Sequence, residues 1–142
     1  WERVMEFPTQ SQTAKLGGPA QPMLAFRYYK LDRYNVPFIL EELLGDEYGL
    51  DLDQNKLLPG DVVVDIGANV GAAAITLASR FPGVRVIAVE PDPTNFRYLL
   101  WNMKTNNVSA SIWPLNAGMC SSAAGQNITY LVPVDEGGGV LK

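Results

Sequence analysis

The feature that most constrains this chain is a short apolar run opening into a glycine-bearing turn. Val62-Val63-Val64-Asp65-Ile66 is followed directly by Gly67-Ala68-Asn69-Val70-Gly71. A continuous β-branched run of this length is what a strand buried on both faces of a parallel sheet requires. Beyond the glycines, Val70 to Phe81 places Val70, Ala74, Leu77 and Phe81 on one stripe, which predicts a helix stopped by Pro82-Gly83. Upstream, Leu57-Leu58-Pro59-Gly60-Asp61 is a turn leading into the strand.

The alternation then repeats. Val84 to Glu90 is a second strand, and Asp92 and Pro93 suit the N-cap and first position of a second helix. In that helix Phe96, Leu99, Leu100 and Met103 form the predicted core stripe. Tyr98 and Trp101 fall on the opposite side, where contact with another segment or subunit is expected. Ser111 to Leu115 reads as a third, weaker strand and Ile128 to Val134 as a fourth. Strand, helix, strand, helix, strand is the α/β signature of a Rossmann-like, doubly wound parallel sheet.

Residues 57–142 are assigned to this partial domain and 1–56 to an irregular N-terminal arm. Pro8, Gly17, Gly18, Pro19 and Pro22 punctuate the arm, and a short helix is predicted from Pro37 to Leu44. With 142 residues, only the cofactor-binding half of such a sheet is expected. The first strand normally lies in the middle of this sheet, so its apolar edge would be bare. A protein partner or a further chain segment is expected to complete it.

Composition narrows the chemistry by exclusion. There is no His and a single Cys, Cys120, so neither a Cys/His zinc site nor a His-based triad can form, and no metal site is assigned. The net charge is −4 with no basic run, which argues against a nucleic-acid partner. The one thiol cannot form an internal disulfide, which favours an intracellular, reducing compartment. The best candidate for a membrane span, Val62 to Ala78, is interrupted by Asp65 and Asn69, so no transmembrane segment is expected.

What remains is a nucleoside site. Gly67 and Gly71 sit outside the carboxyl end of the first strand, where ligands bind in open α/β sheets. Glu90 ends the second strand at the same edge, placed to accept hydrogen bonds from a ribose diol. The dinucleotide fingerprint Gly-x-Gly-x-x-Gly fails here, because Asn69 and Ala72 stand where two of its glycines belong. Asp65 would also repel a pyrophosphate, whereas a cationic sulfonium bearing an amino group would find it favourable. The loop therefore prefers S-adenosylmethionine, and a nicotinamide-dependent oxidoreductase is the weaker alternative.

Leu57 to Gly71, together with Val86-Ile87-Ala88-Val89-Glu90-Pro91-Asp92-Pro93-Thr94-Asn95-Phe96, resembles the FkbM-type methyltransferases. The similarity continues through Leu99 to Val108 and covers roughly residues 57 to 117. It implies that Asp65, Gly67, Asn69 and Gly71, with Ala68 between them, line the methionine end of the cofactor. Glu90 would hold the ribose, Pro91 would lie near the adenine, and Asn116 would meet the adenine edge. The resemblance also implies O-methyl transfer to a small-molecule or glycan hydroxyl. The family's catalytic half carries a further Asp-x-Glu-Gly segment that does not occur before Lys142, so no catalytic residue is assigned. The isolated chain is expected to be inactive. The competing expectation is a catalytically silent structural subunit, derived from a methyltransferase and kept within a larger assembly.

Overall fold

A computed structural model describes residues 2–8, 23–29, 38, 39, 41, 42 and 57–119. In chain order its elements are β1 (Glu2–Pro8), β2 (Met23–Tyr29), β3 (Val62–Ile66), α1 (Ala72–Arg80), β4 (Arg85–Val89), α2 (Pro93–Thr105) and β5 (Ile112–Leu115). Phe38, Ile39, Glu41 and Glu42 are helical, within the helix predicted from Pro37. The fourth strand expected at Ile128 to Val134 lies outside the described residues.

Strands β3, β4 and β5 form a parallel sheet in that order, with Val62 opposite Arg85 and Val86 opposite Ile112. This is the Rossmann-like α/β architecture that the alternating pattern predicts. Strands β4 and β5 are each reached through a helix, and successive crossovers of one hand step across the sheet in one direction. Val86, Ala88 and Ile112 are accordingly buried in one cluster with Val70, Ala74, Ile75, Leu77, Leu99 and Met103 from the loop and helices.

That one-sided packing corrects the expectation that β3 is buried on both faces. Val62, Val64 and Ile66 are 50%, 55% and 58% exposed, and on β5 Trp113 is 73% exposed. Both crossover helices cover the other face, and among the described residues no element covers this one. Among those residues β3 pairs only with β4.

The arm departs from the irregular chain read in the sequence. Strands β1 and β2 pair antiparallel, with Met5 opposite Phe26 and Glu2 opposite Tyr29. Leu24 and Phe26 are buried and join the main core, while Ala25 and Arg27 alternate with them. The hairpin docks on α2 by an unusual device. Asn106 and Asn102, one turn apart on the helix, pair with the backbones of Ala25 and Arg27, two residues apart on the strand. Ala25 N–H donates to Asn106 Oδ1 at 2.8 Å, and Asn106 Nδ2 donates to the Ala25 carbonyl at 2.7 Å. Arg27 N–H donates to Asn102 Oδ1 at 2.8 Å, and Asn102 Nδ2 returns to the Arg27 carbonyl at 2.9 Å. The spacings match: four helical residues rise about 6 Å and two strand residues about 6.6 Å. The strand edge that β1 leaves unpaired is thus satisfied by side-chain amides.

This docking changes which face of α2 is core. Leu99, Asn102 and Met103 are buried, and Phe96 and Tyr98 pack partly buried against the cluster. Leu100, placed in the core stripe by its hydrophobicity, is 42% exposed. The buried arc is centred on Leu99 and extends to a polar residue, because β2 meets the helix there. Trp101 does contact another segment, and that segment belongs to the same chain. The Arg27 guanidinium carbon lies 3.8 Å from the centre of its ring, within cation–π range.

Candidate functional site

The carboxyl ends of β3 and β4 bring the sequence-predicted residues together. Gly67 and Ala68 N–H both donate to the Val89 carbonyl, at 2.9 and 3.0 Å, which ties the loop after β3 to the end of β4. The loop then turns tightly, with Gly71 N–H on the Ala68 carbonyl at 2.8 Å. Its backbone is left-handed at every second residue: φ is +84° at Gly67, +51° at Asn69 and +90° at Gly71. Asn tolerates this region better than most side chains do. Gly71 needs to be glycine twice over, since a Cβ there would fall 2.6 Å from Leu99 Cδ1.

Glu90 is 5% exposed, and its carboxylate spans the two motifs. Asn69 N–H donates to Oε2 at 2.8 Å, and Asp92 N–H donates to Oε1 at 2.8 Å. The acid therefore locks the loop to the segment after β4. A carboxylate oxygen accepts two hydrogen bonds, so each keeps capacity for a diol hydroxyl. Asp92 in turn caps α2, accepting from Thr94 N–H at 2.7 Å and Asn95 N–H at 2.8 Å. Asn116, just past β5, donates from Nδ2 to the Glu90 carbonyl at 2.8 Å and to the Pro91 carbonyl at 3.2 Å. Seven of the eight residues named from the sequence are thus linked in one patch, and Asp65, on β3 beside them, feels the charge of Glu90.

Two properties of the patch bear on its ligand. The backbone N–H groups of Gly67, Ala68, Asn69 and Gly71 are all committed within the chain, whereas a pyrophosphate loop presents such groups to the anion. The patch is also acidic. Among the described residues, Asp65 Oδ2 and Asn69 Oδ1 are buried acceptors without a hydrogen-bond partner. Buried acceptors of this kind call for a donor, and an ammonium group meets that need. The residues present therefore fit the methionine end of S-adenosylmethionine and do not fit a dinucleotide.

Burial pushes the Asp65 carboxyl above its ordinary value of 3.8. The Ala74 backbone hydrogen bond opposes this rise, and the charge of Glu90 adds to it. A carboxyl raised in the folded state contributes stability that is fully present below 3.8 and is lost as pH rises through the raised value. Asp65→Asn keeps the shape and removes the charge. In ligand-free chain the variant should therefore melt above the wild type, by a margin that widens as pH rises from acid to neutral. A margin independent of pH would contradict this account of Asp65.

Sequence reasoning missed Asn102. It is fully buried, and besides its bonds to Arg27 it donates from Nδ2 to the Val70 carbonyl, inside the loop, at 2.9 Å. Its position three residues after Leu99, on the core side of α2, was the available signal.

Residues 54–127, just over half of the chain, match the family model of the TRM5/TYW2 methyltransferase domain. Methyltransferase sdnD of Sordaria araneosa is 28% identical over 103 residues, 72% of this chain and 39% of that protein. The 31-O-demethyl-FK506 methyltransferase FkbM of Streptomyces tacrolimicus is 40% identical over 57 residues, 40% of this chain and 22% of that protein. The chain thus spans well under half the length of these curated relatives. A crystal structure of P. horikoshii TYW2 in complex with MeSAdo is 30% identical, covering 44% of this chain and 24% of that one, with a TM-score of 0.42. The kinship to FkbM is confined to a short stretch, and the broader family is the one matched across the loop, both helices and the sheet. The chain belongs to the TRM5/TYW2 family of S-adenosylmethionine-dependent methyltransferase domains.

Proposed function

We propose that this chain binds S-adenosylmethionine at the loop from Gly67 to Gly71 and forms the cofactor half of an FkbM-type O-methyltransferase. The observation that carries the reading is the pairing of a phosphate-averse loop with two partnerless buried acceptors, Asp65 Oδ2 and Asn69 Oδ1. When bound, the cofactor supplies an electrophilic methyl group on a sulfonium, so the protein's task is position and electrostatics. Asp65 and Asn69 would take the methionine ammonium, and Gly67, Ala68 and Gly71 shape the loop around it. Glu90 would take the ribose hydroxyls, with Pro91 and Asn116 beside the adenine. No acceptor pocket or catalytic group is assigned among the described residues.

A hydroxyl acceptor on a small molecule or glycan is the substrate class we favour, and nucleic acid is not. Support comes from the motif resemblance and from the Streptomyces relative, which is named for a 31-O-demethyl acceptor. The test is transfer of isotopically labelled methyl by the full-length protein to a panel of hydroxylated metabolites, oligosaccharides and RNA. Label fixed as a methyl ether on a hydroxylated acceptor is the expected result. Label on RNA, or on nitrogen, would overturn the reading.

A further inference from the structure

Three groups meet at Asn102, and each comes from a different part of the chain. One amide hydrogen goes to the Arg27 carbonyl of β2 and the other to the Val70 carbonyl of the loop, both at 2.9 Å. The side-chain oxygen accepts from Arg27 N–H. The amide therefore spends both its donors and its acceptor, and with 0% exposure it has no water to substitute for any of them.

The Val70 carbonyl lies between two left-handed residues, Asn69 and Gly71, at the tightest part of the loop. Val70 is itself fully buried, so its carbonyl needs an internal donor. Leu99, one turn earlier on α2, packs against Gly71 from the same side. The loop thus rests on α2 through one apolar and one polar contact, and the polar one is shared with the hairpin. Asn106 makes a useful contrast. It holds Ala25 by an equivalent pair of bonds, and its amide donates otherwise to the Asn102 carbonyl one turn back, not to the loop.

We propose that Asn102 is a positioning residue for the cofactor loop, tying its Val70 carbonyl to the Arg27 backbone so that hairpin docking and cofactor binding are coupled. The proposal rests on the reading that the cofactor binds at this loop. Coupling between two sites is reciprocal: a docked hairpin favours the bound form of the loop, and a bound cofactor tightens the hairpin.

The test combines S-adenosylhomocysteine titration with amide hydrogen exchange on the full chain. In the unmutated protein, saturating S-adenosylhomocysteine should slow exchange at the Ala25 and Arg27 amides, which lie outside the pocket. Asn102→Ala should raise the dissociation constant about tenfold, the effect of one unsatisfied buried carbonyl. It should also speed exchange at Asn69 and Gly71. Asn106→Ala should speed exchange at the Ala25 amide only; with the Arg27–Asn102–Val70 link intact and the hairpin still docked, the dissociation constant should stay within about twofold. Equal weakening by both variants would reduce Asn102 to hairpin packing and overturn the proposal. So would hairpin amides that do not respond to ligand, a measurement that needs no variant to fold. Should the unmutated chain bind no S-adenosylhomocysteine, the cofactor reading fails. Faster loop exchange in Asn102→Ala but not Asn106→Ala would still uphold the link from α2 to the loop.

Discussion

Gly71→Ala is expected to cost about 2–5 kcal/mol of folding stability, against about 1–2 kcal/mol for Gly67→Ala. Both positions are left-handed, at φ +90° and +84°, so both variants bear the conformational penalty of an L-residue there. Only Gly71 adds a packing conflict. Its new Cβ would stand 2.6 Å from Leu99 Cδ1 and 3.0 Å from Ile75 Cδ1, two side chains that are completely buried and have little room to move. At Gly67 nothing lies within 4 Å of the added atom. Equilibrium denaturation of the two variants separates these contributions. Equal destabilisation would mean that the loop does not press on α2 as described, and that backbone strain alone requires both glycines.

Glu90→Ala should weaken S-adenosylhomocysteine binding by about 1.5–3 kcal/mol, or roughly tenfold to 150-fold. Two effects contribute, and they are separable. The variant removes the acceptor for Asn69 N–H and Asp92 N–H, which slackens the loop whether or not ligand is present. It also removes the proposed partner of the ribose hydroxyls. A 2′,3′-dideoxy analogue of the ligand lacks those hydroxyls, so a double cycle of variant and analogue isolates the direct contact. The wild type should lose affinity for the analogue and the variant should not. If both lose affinity equally, Glu90 is a loop lock only, and the ribose is held elsewhere.

Legibility in the sequence followed the range of the interactions. The strand at β3 and the cap at Asp92 depend on residues within a few positions of each other, and both stand where the pattern places them. The site was legible for a related reason, since strand ends in a parallel sheet fall on one edge and carry Gly67 and Glu90 there. The hairpin was harder. Leu24 and Phe26 alternate with Ala25 and Arg27, but prolines and glycines upstream masked the period. The strand's docking depends on Asn102 and Asn106, more than seventy positions away. The same contact explains the misplaced face of α2: an apolar count assigns Leu100 to the core and cannot assign Asn102. The open face of β3 was missed because a strand apolar at every position but Asp65 does not reveal how many of its sides the neighbouring chain covers.

The central claim is that the patch built from Asp65, the Gly67–Gly71 loop and Glu90 selects S-adenosylmethionine over a dinucleotide. Calorimetric titration of the full chain with S-adenosylhomocysteine and, separately, with NAD tests it most directly. Saturable binding of S-adenosylhomocysteine at one site per chain, with no heat attributable to NAD, is the predicted result. Comparable binding of NAD, or saturation by NAD alone, would contradict it.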